Sequence, residues 1–138
     1  MKVATIQTTT RKFFHYWINV TAPLHNLGKT EKAVLSELLY YRYKLSEEVV
    51  NDALADKLLF SYDIKVKIGT SLNITPNRLA LVLSELRKNK IIVNNAINKA
   101  YIPEFDKNTT TFIMAYRFRI KDDDSKGENS KEVQEDSK

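Results

Sequence analysis

The sequence predicts an α+β domain, mostly helical, with a small antiparallel sheet and a separate acidic tail. Three observations carry that expectation. Apolar residues recur at spacings of three and four in several segments, the period of a helix with one buried face. The β-branched run Ile91-Ile92-Val93 precedes Asn94-Asn95, which can take a left-handed turn, and Ala96-Ile97-Asn98-Lys99 can return as a second strand. Beyond residue 121 the composition changes: residues 122–138 hold 3 Lys against 7 Asp and Glu, with Val133 the only sizeable apolar side chain. Such a stretch cannot bury enough surface to offset its ordering entropy, so 122–138 reads as a disordered acidic tail.

Residues 1–121 suit a single domain. With 43% hydrophobic and 10% aromatic residues, a wholly disordered chain is excluded. The lack of cysteine excludes a disulfide scaffold, thiolate zinc sites and cysteine catalysis, and suits a reducing compartment. The start, Met1 to Gln7 followed by Thr8-Thr9-Thr10-Arg11-Lys12, offers no secretory apolar region, and no window approaches the roughly 20 apolar residues of a membrane helix. The expectation is a soluble, intracellular protein with no membrane partner.

Along the chain, the first twelve residues alternate weakly and read as a short strand or extended arm. Phe13, Tyr16 and Trp17 stand at helical spacing, predicting a short helix packed on the core, and 19–28, with Pro23 and Gly28, reads as a connector. Thr30 is a candidate N-cap, Glu31 complements the helix dipole, and a helix over 30–44 carries the stripe Val34, Leu35, Leu38, Tyr41 and Leu45. Ser46 is a second candidate N-cap, with Glu47 and Glu48 in the first turn of a short helix bearing Val49, Val50, Ala53, Leu54 and Leu58. Ile64, Ile68 and Leu72 mark another helix. Asn73-Ile74-Thr75 then forms a tight turn, with Thr75 as N-cap and Pro76 at the first helical position, where a missing N–H costs nothing. Leu79, Val82, Leu83 and Leu86 form the buried stripe of a helix that ends at Lys88-Asn89-Lys90. After Pro103, residues 111–120 read as a strand with Phe112, Met114, Tyr116, Phe118 and Ile120 on one face and Arg117 and Arg119 on the other, pairing with the hairpin or the N-terminal arm.

Helix, turn, capped helix and hairpin, in that order, resemble a winged helix-turn-helix. The likeness lies in Ile64-Lys65-Val66-Lys67-Ile68-Gly69-Thr70-Ser71-Leu72-Asn73-Ile74-Thr75-Pro76-Asn77-Arg78-Leu79 and in Leu86-Arg87-Lys88-Asn89-Lys90-Ile91-Ile92, and it covers roughly 30–102. It implies 30–44 as first helix, 64–72 as second, 76–89 as recognition helix and 91–101 as wing. A long segment, 45–63, inserts an extra helix between the first two. The whole layout also resembles small uncharacterised winged-helix proteins of large tailed bacteriophages, which implies a host-cytoplasm or virion location.

A recognition helix entering a major groove must present side chains able to reach bases and phosphates. With the Leu79 stripe inward, the outward set is Asn77, Arg78, Leu81, Ser84, Glu85 and Lys88. Asn77 and Arg78, in the first turn, are candidate base readers. Lys88, with Lys65, Lys67, Arg87, Lys90 and Lys99, would meet the backbone, where contacts supply affinity without sequence information. Residues 1–121 hold 19 Lys and Arg against 10 Asp and Glu, a surplus that attracts polyanions. The leading expectation is therefore a non-catalytic DNA-binding protein, regulatory or replicative. Leu81 and Glu85 fit a protein partner better, so the alternative is a structural or adaptor protein, such as a phage virion or assembly component, with homo-oligomers or phage structural proteins as partners. The acidic tail fits either, as a mimic of DNA held on the basic face or as a solubilising segment.

Other candidates give way to plainer readings. Trp17 with Tyr40, Tyr41 and Tyr43 could stack bases, but such residues are more often core. Arg117 and Arg119 face away from the aromatics, unlike an RNA-stacking sheet. His15 and His25 lack a third ligand at metal-like spacing, so neither metal nor cofactor is expected. Asp52, Asp56 and Asp63, or Glu47 and Glu48, read as solvated faces and dipole complements rather than an acid/base set. No phosphate loop, nucleophile elbow or dinucleotide fingerprint supports an enzyme. The Asn-x-Thr triplets at Asn19, Asn73 and Asn108 follow from an Asn- and Thr-rich chain.

Overall fold

The computed structural model describes residues 2–123. Among them the chain forms α1 (Thr10–Val20), α2 (Ala22–His25), α3 (Lys29–Glu48), α4 (Asp52–Leu59), α5 (Tyr62–Leu72) and α6 (Pro76–Lys88). A two-stranded antiparallel sheet, β1 (Ile92–Val93) with β2 (Ala96–Ile97), and a 3₁₀ turn (Lys99–Tyr101) follow. The predicted mostly helical domain with a small antiparallel sheet is thus present, and none of its helices is long and apolar enough to cross a membrane. The predicted acidic tail lies outside the described residues, apart from Asp122 and Asp123.

The 20-residue helix α3 is the centre, packed by α1, α4, α5 and α6. Its Val34, Leu35, Leu38 and Leu39 are fully buried, together with Phe14 and Ile18 of α1, Leu59 of α4, Ile68 of α5 and Leu86 of α6. Its boundaries differ from the sequence expectation at both ends, for identifiable reasons. At the start Glu31 reaches back to accept from the Gly28 N–H at 3.3 Å, so Gly28 is the N-cap and Thr30 lies inside the first turn. At the other end Ser46 does not open a helix. Its hydroxyl donates to the Tyr43 carbonyl at 2.7 Å, which satisfies it within a continuing helix. Glu47 and Glu48 therefore close α3 rather than open α4, whose N-cap is Asn51, accepting from the N–H groups of Ala53 and Leu54.

The 111–120 segment is the clearest correction: it forms no strand and pairs with neither the hairpin nor the N-terminal residues, which are likewise irregular. Phe112 packs edge-on against Phe13 and Trp17, at ring-centroid distances of 5.1 and 5.8 Å, and the Tyr116 hydroxyl donates to the Val20 carbonyl. The segment is thereby held along α1, whose backbone is spent on its own helix and offers no ladder to join. Trp17, Tyr40 and Tyr43 are half-buried in the same aromatic cluster with Phe14 and Phe105, the core reading over the stacking one. Trp17 Nε1 also donates to the Tyr101 carbonyl at 2.9 Å, tying the end of the hairpin region to α1.

Two polar groups in the interior are fully provided with partners. Glu37 of α3, only 4% exposed, accepts from Arg11 of α1 at 2.7 and 2.8 Å and from the Ser71 hydroxyl of α5 at 2.8 Å. The Arg11 guanidinium lies 4.6 Å from the Tyr40 ring centroid, a cation–π contact, and its bonds to Glu37 raise its pKa above the ordinary value. His25, also buried, bonds the Ile18 carbonyl through Nε2 at 3.0 Å and receives the Leu27 N–H at Nδ1 at 3.2 Å. That pattern demands the neutral Nε2–H tautomer, since Nδ1 must accept. Burial lowers the His25 pKa below 6.5, and nearby Lys32 adds to the effect.

Two outcomes follow. Arg11→Ala leaves the Glu37 carboxylate buried with Ser71 alone, and urea unfolding is expected to show a loss of about 1–3 kcal/mol. Because the unfolded chain takes up a proton at His25 more readily than the folded one, stability is full above pH 6.5 and falls as pH drops from there toward the lower folded-state pKa. Melting curves between pH 7.5 and 5 should therefore show a steeper decline for the native chain than for His25→Gln.

Candidate nucleic-acid interface

The polar surface formed by α5, the turn after it, α6 and the hairpin is assembled by local backbone chemistry. Asn73 adopts the left-handed conformation, φ 54°, at the end of α5. Its N–H and that of Ile74 bond back to the carbonyls of Thr70 and Gly69, closing the helix. Gly69 leaves room for that closure: a Cβ there would stand 3.3 Å from the Ile74 carbonyl oxygen, and the turn would have to give by a few tenths of an ångström. Thr75 then caps α6 as the sequence predicts, its hydroxyl accepting from the Arg78 N–H at 3.1 Å, with Pro76 in the first turn.

Helix α6 buries Leu79, Val82, Leu83 and Leu86 against α3, α5 and β1. Asn77, Arg78, Leu81, Ser84, Glu85 and Lys88 are all exposed on its other side, and Arg87 is exposed as well. The six expected outward residues are thus accessible together. Lys88 lies 3.9 Å from Glu85, a solvent-exposed pair one turn apart that adds little stability. Leu81 is 62% exposed.

The end of α6 repeats the device that ended α5. Lys90 takes φ 60°, its N–H bonds the Arg87 carbonyl, and the Ile91 N–H bonds the Leu86 carbonyl at 2.9 Å. The chain then enters β1. Asn94 and Asn95, at φ 52° and 58°, make a two-residue turn with both central residues left-handed, the geometry whose twist matches a hairpin. Ile92 pairs with Ile97 and Val93 with Ala96. Asn98 locks the base: its N–H bonds the Ile91 carbonyl, its amide nitrogen the Lys90 carbonyl and its amide oxygen the Ala100 N–H. From the sequence alone Asn98 reads only as a strand residue. Its role rests on contacts across the hairpin that no local pattern announces.

The cationic candidates divide by position. Lys67 is exposed and Lys65 half-buried on α5, Arg87 and Lys88 are exposed at the end of α6, and Lys90 is exposed at its cap. Lys99 is exposed on the far flank of the hairpin, where it lines a cleft of about 660 Å³ with Arg42, Tyr43, Asp52 and Phe105. The hairpin residues 92–97 carry no charge, so the lysines sit at its base rather than its tip.

The positive surplus is concentrated here. Residues 62–99 carry seven Lys and Arg against two Asp and Glu, whereas residues 1–61 carry eight against six. In that first part Arg11 is paired with Glu37, Arg42 with Asp52 and Asp56, and Lys44 with Glu47. Among the described residues, Lys88 is the single cation of 62–99 in an ion pair, so the segment keeps its field. Of the two histidines, His15 is exposed and His25 is committed to its backbone bonds. Comparison with known protein families, curated proteins and solved structures gives no match.

Lys90 offers a way to separate charge from stability. A non-glycine residue in the left-handed region costs about 1 kcal/mol, which glycine avoids. Lys90→Gly is therefore expected to raise the urea midpoint, by up to about 1 kcal/mol in stability, while removing one exposed cation.

Proposed function

We propose that this chain is a non-catalytic DNA-binding protein of winged helix-turn-helix type, with α3, α5 and α6 as its three helices, α4 as an inserted helix and β1–β2 as a short wing. The observation that carries the reading is the exposed polar side of α6, with Arg87, Lys88 and Lys90 exposed at its end and Lys67 exposed on α5, in the segment that holds most of the chain's positive surplus. Asn77 and Arg78, exposed in the first turn of α6, are placed to read base edges: an Arg can bond guanine and an Asn adenine in the major groove, each through two bonds. Lys67, Arg87, Lys88 and Lys90 contact phosphates, and Ser84 donates from the middle of the helix. Lys65, half-buried, and Lys99, across the hairpin, are peripheral contributors. The resemblance to small uncharacterised winged-helix proteins of large tailed bacteriophages bears on origin, a phage-encoded protein, rather than on activity; a regulatory or replicative role rests on the DNA-binding reading alone.

A second reading draws on Leu81 and Glu85. A leucine 62% exposed in the middle of the proposed reading face, with Val66 exposed on α5, favours a protein partner, as in an adaptor or phage structural component. A carboxylate there repels phosphate unless it accepts from cytosine.

Fluorescence anisotropy with a labelled mixed-sequence duplex distinguishes the two. The DNA reading expects binding that weakens linearly in log–log form as salt rises. Lys90→Ala should weaken binding to all sequences and flatten the salt slope by about one unit, while Arg78→Ala should reduce discrimination between sequences by about 1–3 kcal/mol. Absence of binding at low salt, or binding insensitive to salt, overturns the DNA reading. Leu81→Asp should then abolish capture of the protein partner.

A further inference from the structure

The 111–120 segment combines features that the rest of the fold leaves unused. Its ten residues, Thr111-Phe112-Ile113-Met114-Ala115-Tyr116-Arg117-Phe118-Arg119-Ile120, have strong strand composition. Among the described residues, no backbone hydrogen bond joins this stretch to any other part of the chain. It is anchored at two points: Phe112 against Phe13 and Trp17, and Tyr116 on the Val20 carbonyl. Beyond Tyr116 it is not, and Phe118 and Ile120 stand 82% and 94% exposed; Ile113, between the anchors, is 72% exposed. An unpaired, β-prone stretch with large apolar side chains in water can serve as a template for another strand.

We propose that this segment is the self-association surface of the protein, pairing antiparallel with the same segment of a second copy about a two-fold axis at Ala115. The two halves are complementary in that register. Phe118 falls opposite the partner's Phe112, and so beside the aromatic cluster that Phe112 already joins. Tyr116 falls opposite the partner's Met114. The free end of each copy, 117–120, falls opposite 110–113 of the other, which includes its Phe112 anchor, and the interface is isologous, the form expected of a dimer. Charge selects the same direction. Both arginines lie in the second half, so antiparallel pairing sets Arg117 against the partner's Ile113 and Arg119 against the partner's Thr111. Parallel in-register pairing would stack Arg117 on Arg117 and Arg119 on Arg119, and like charges directly opposite destabilise a sheet. The pairing also supplies hydrogen-bond partners to the amides and carbonyls of the segment.

The chain contains no cysteine, so a single introduced one reports the register. In the full-length protein under mild oxidation, Ala115→Cys is expected to cross-link into a covalent dimer, because directly opposed strand residues lie within disulfide reach. Ile120→Cys is expected not to, because the two copies of residue 120 would stand about 30 Å apart. Light scattering of the unmodified chain should give twice the monomer mass. Phe118→Asp should raise the dimer dissociation constant at least about tenfold with an unchanged circular dichroism spectrum, since the side chain is exposed in the single copy. Cross-linking of both cysteine variants overturns the proposal in favour of parallel pairing. A monomeric mass at all concentrations, or a dimer indifferent to Phe118→Asp in which Ala115→Cys does not cross-link, overturns it outright.

Discussion

Burying the Glu37 carboxylate commits the fold to supplying it with donors, because an ionised group taken out of water without partners costs several kcal/mol. The donors come from two directions. Arg11 reaches in from α1 and Ser71 from the last turn of α5, so one side chain of α3 sets where two other helices lie against it. Apolar packing of Phe14, Leu35, Leu38 and Ile68 supplies the larger share of the driving force, but it is non-directional. The three-way polar contact is directional, and it fixes the end of α5 from which the turn to α6 departs. The placement of Asn77 and Arg78 thus depends, through Gly69, Asn73 and Thr75, on a contact on the other side of the helix layer.

Much of the fold is legible in the sequence because its signals are local. The Thr75-Pro76 start of α6, its Leu79 to Leu86 stripe, the turn at Asn73-Ile74-Thr75 and the Asn94-Asn95 turn each depend on residues within a few positions of one another, and the structure has all of them. The accessible set on α6 follows from helical period alone. What escapes is non-local. Glu37 lies among the core residues of α3, yet its partners are 26 and 34 residues away. Ser46 looks like a cap because serine often is one, and only the continuing helix shows that its hydroxyl is already bonded. Residues 111–120 have a strand's pattern, but whether a strand forms depends on finding an edge. The anchors at Phe112 and Tyr116 hold this stretch to a helix instead.

Similar termini serve both helices at the candidate site. α5 and α6 each close with a left-handed residue and a carbonyl taken up five residues downstream, at Asn73 and Lys90. Asparagine tolerates that conformation through its short polar side chain, whereas lysine gains nothing local from it. The backbone energy spent at Lys90 places a cation where the helix meets the ribbon, next to Lys88 and Arg87.

The ribbon itself is short. Two residue pairs and a two-residue turn project only about 10 Å from its base, and every side chain from Ile92 to Ile97 is neutral. A protrusion of that size has neither the length nor the charge to thread between the two strands of a duplex on its narrow side. On the DNA-binding reading proposed above, sequence selectivity would then fall to one helix, and thus to a footprint of only a few base pairs per copy.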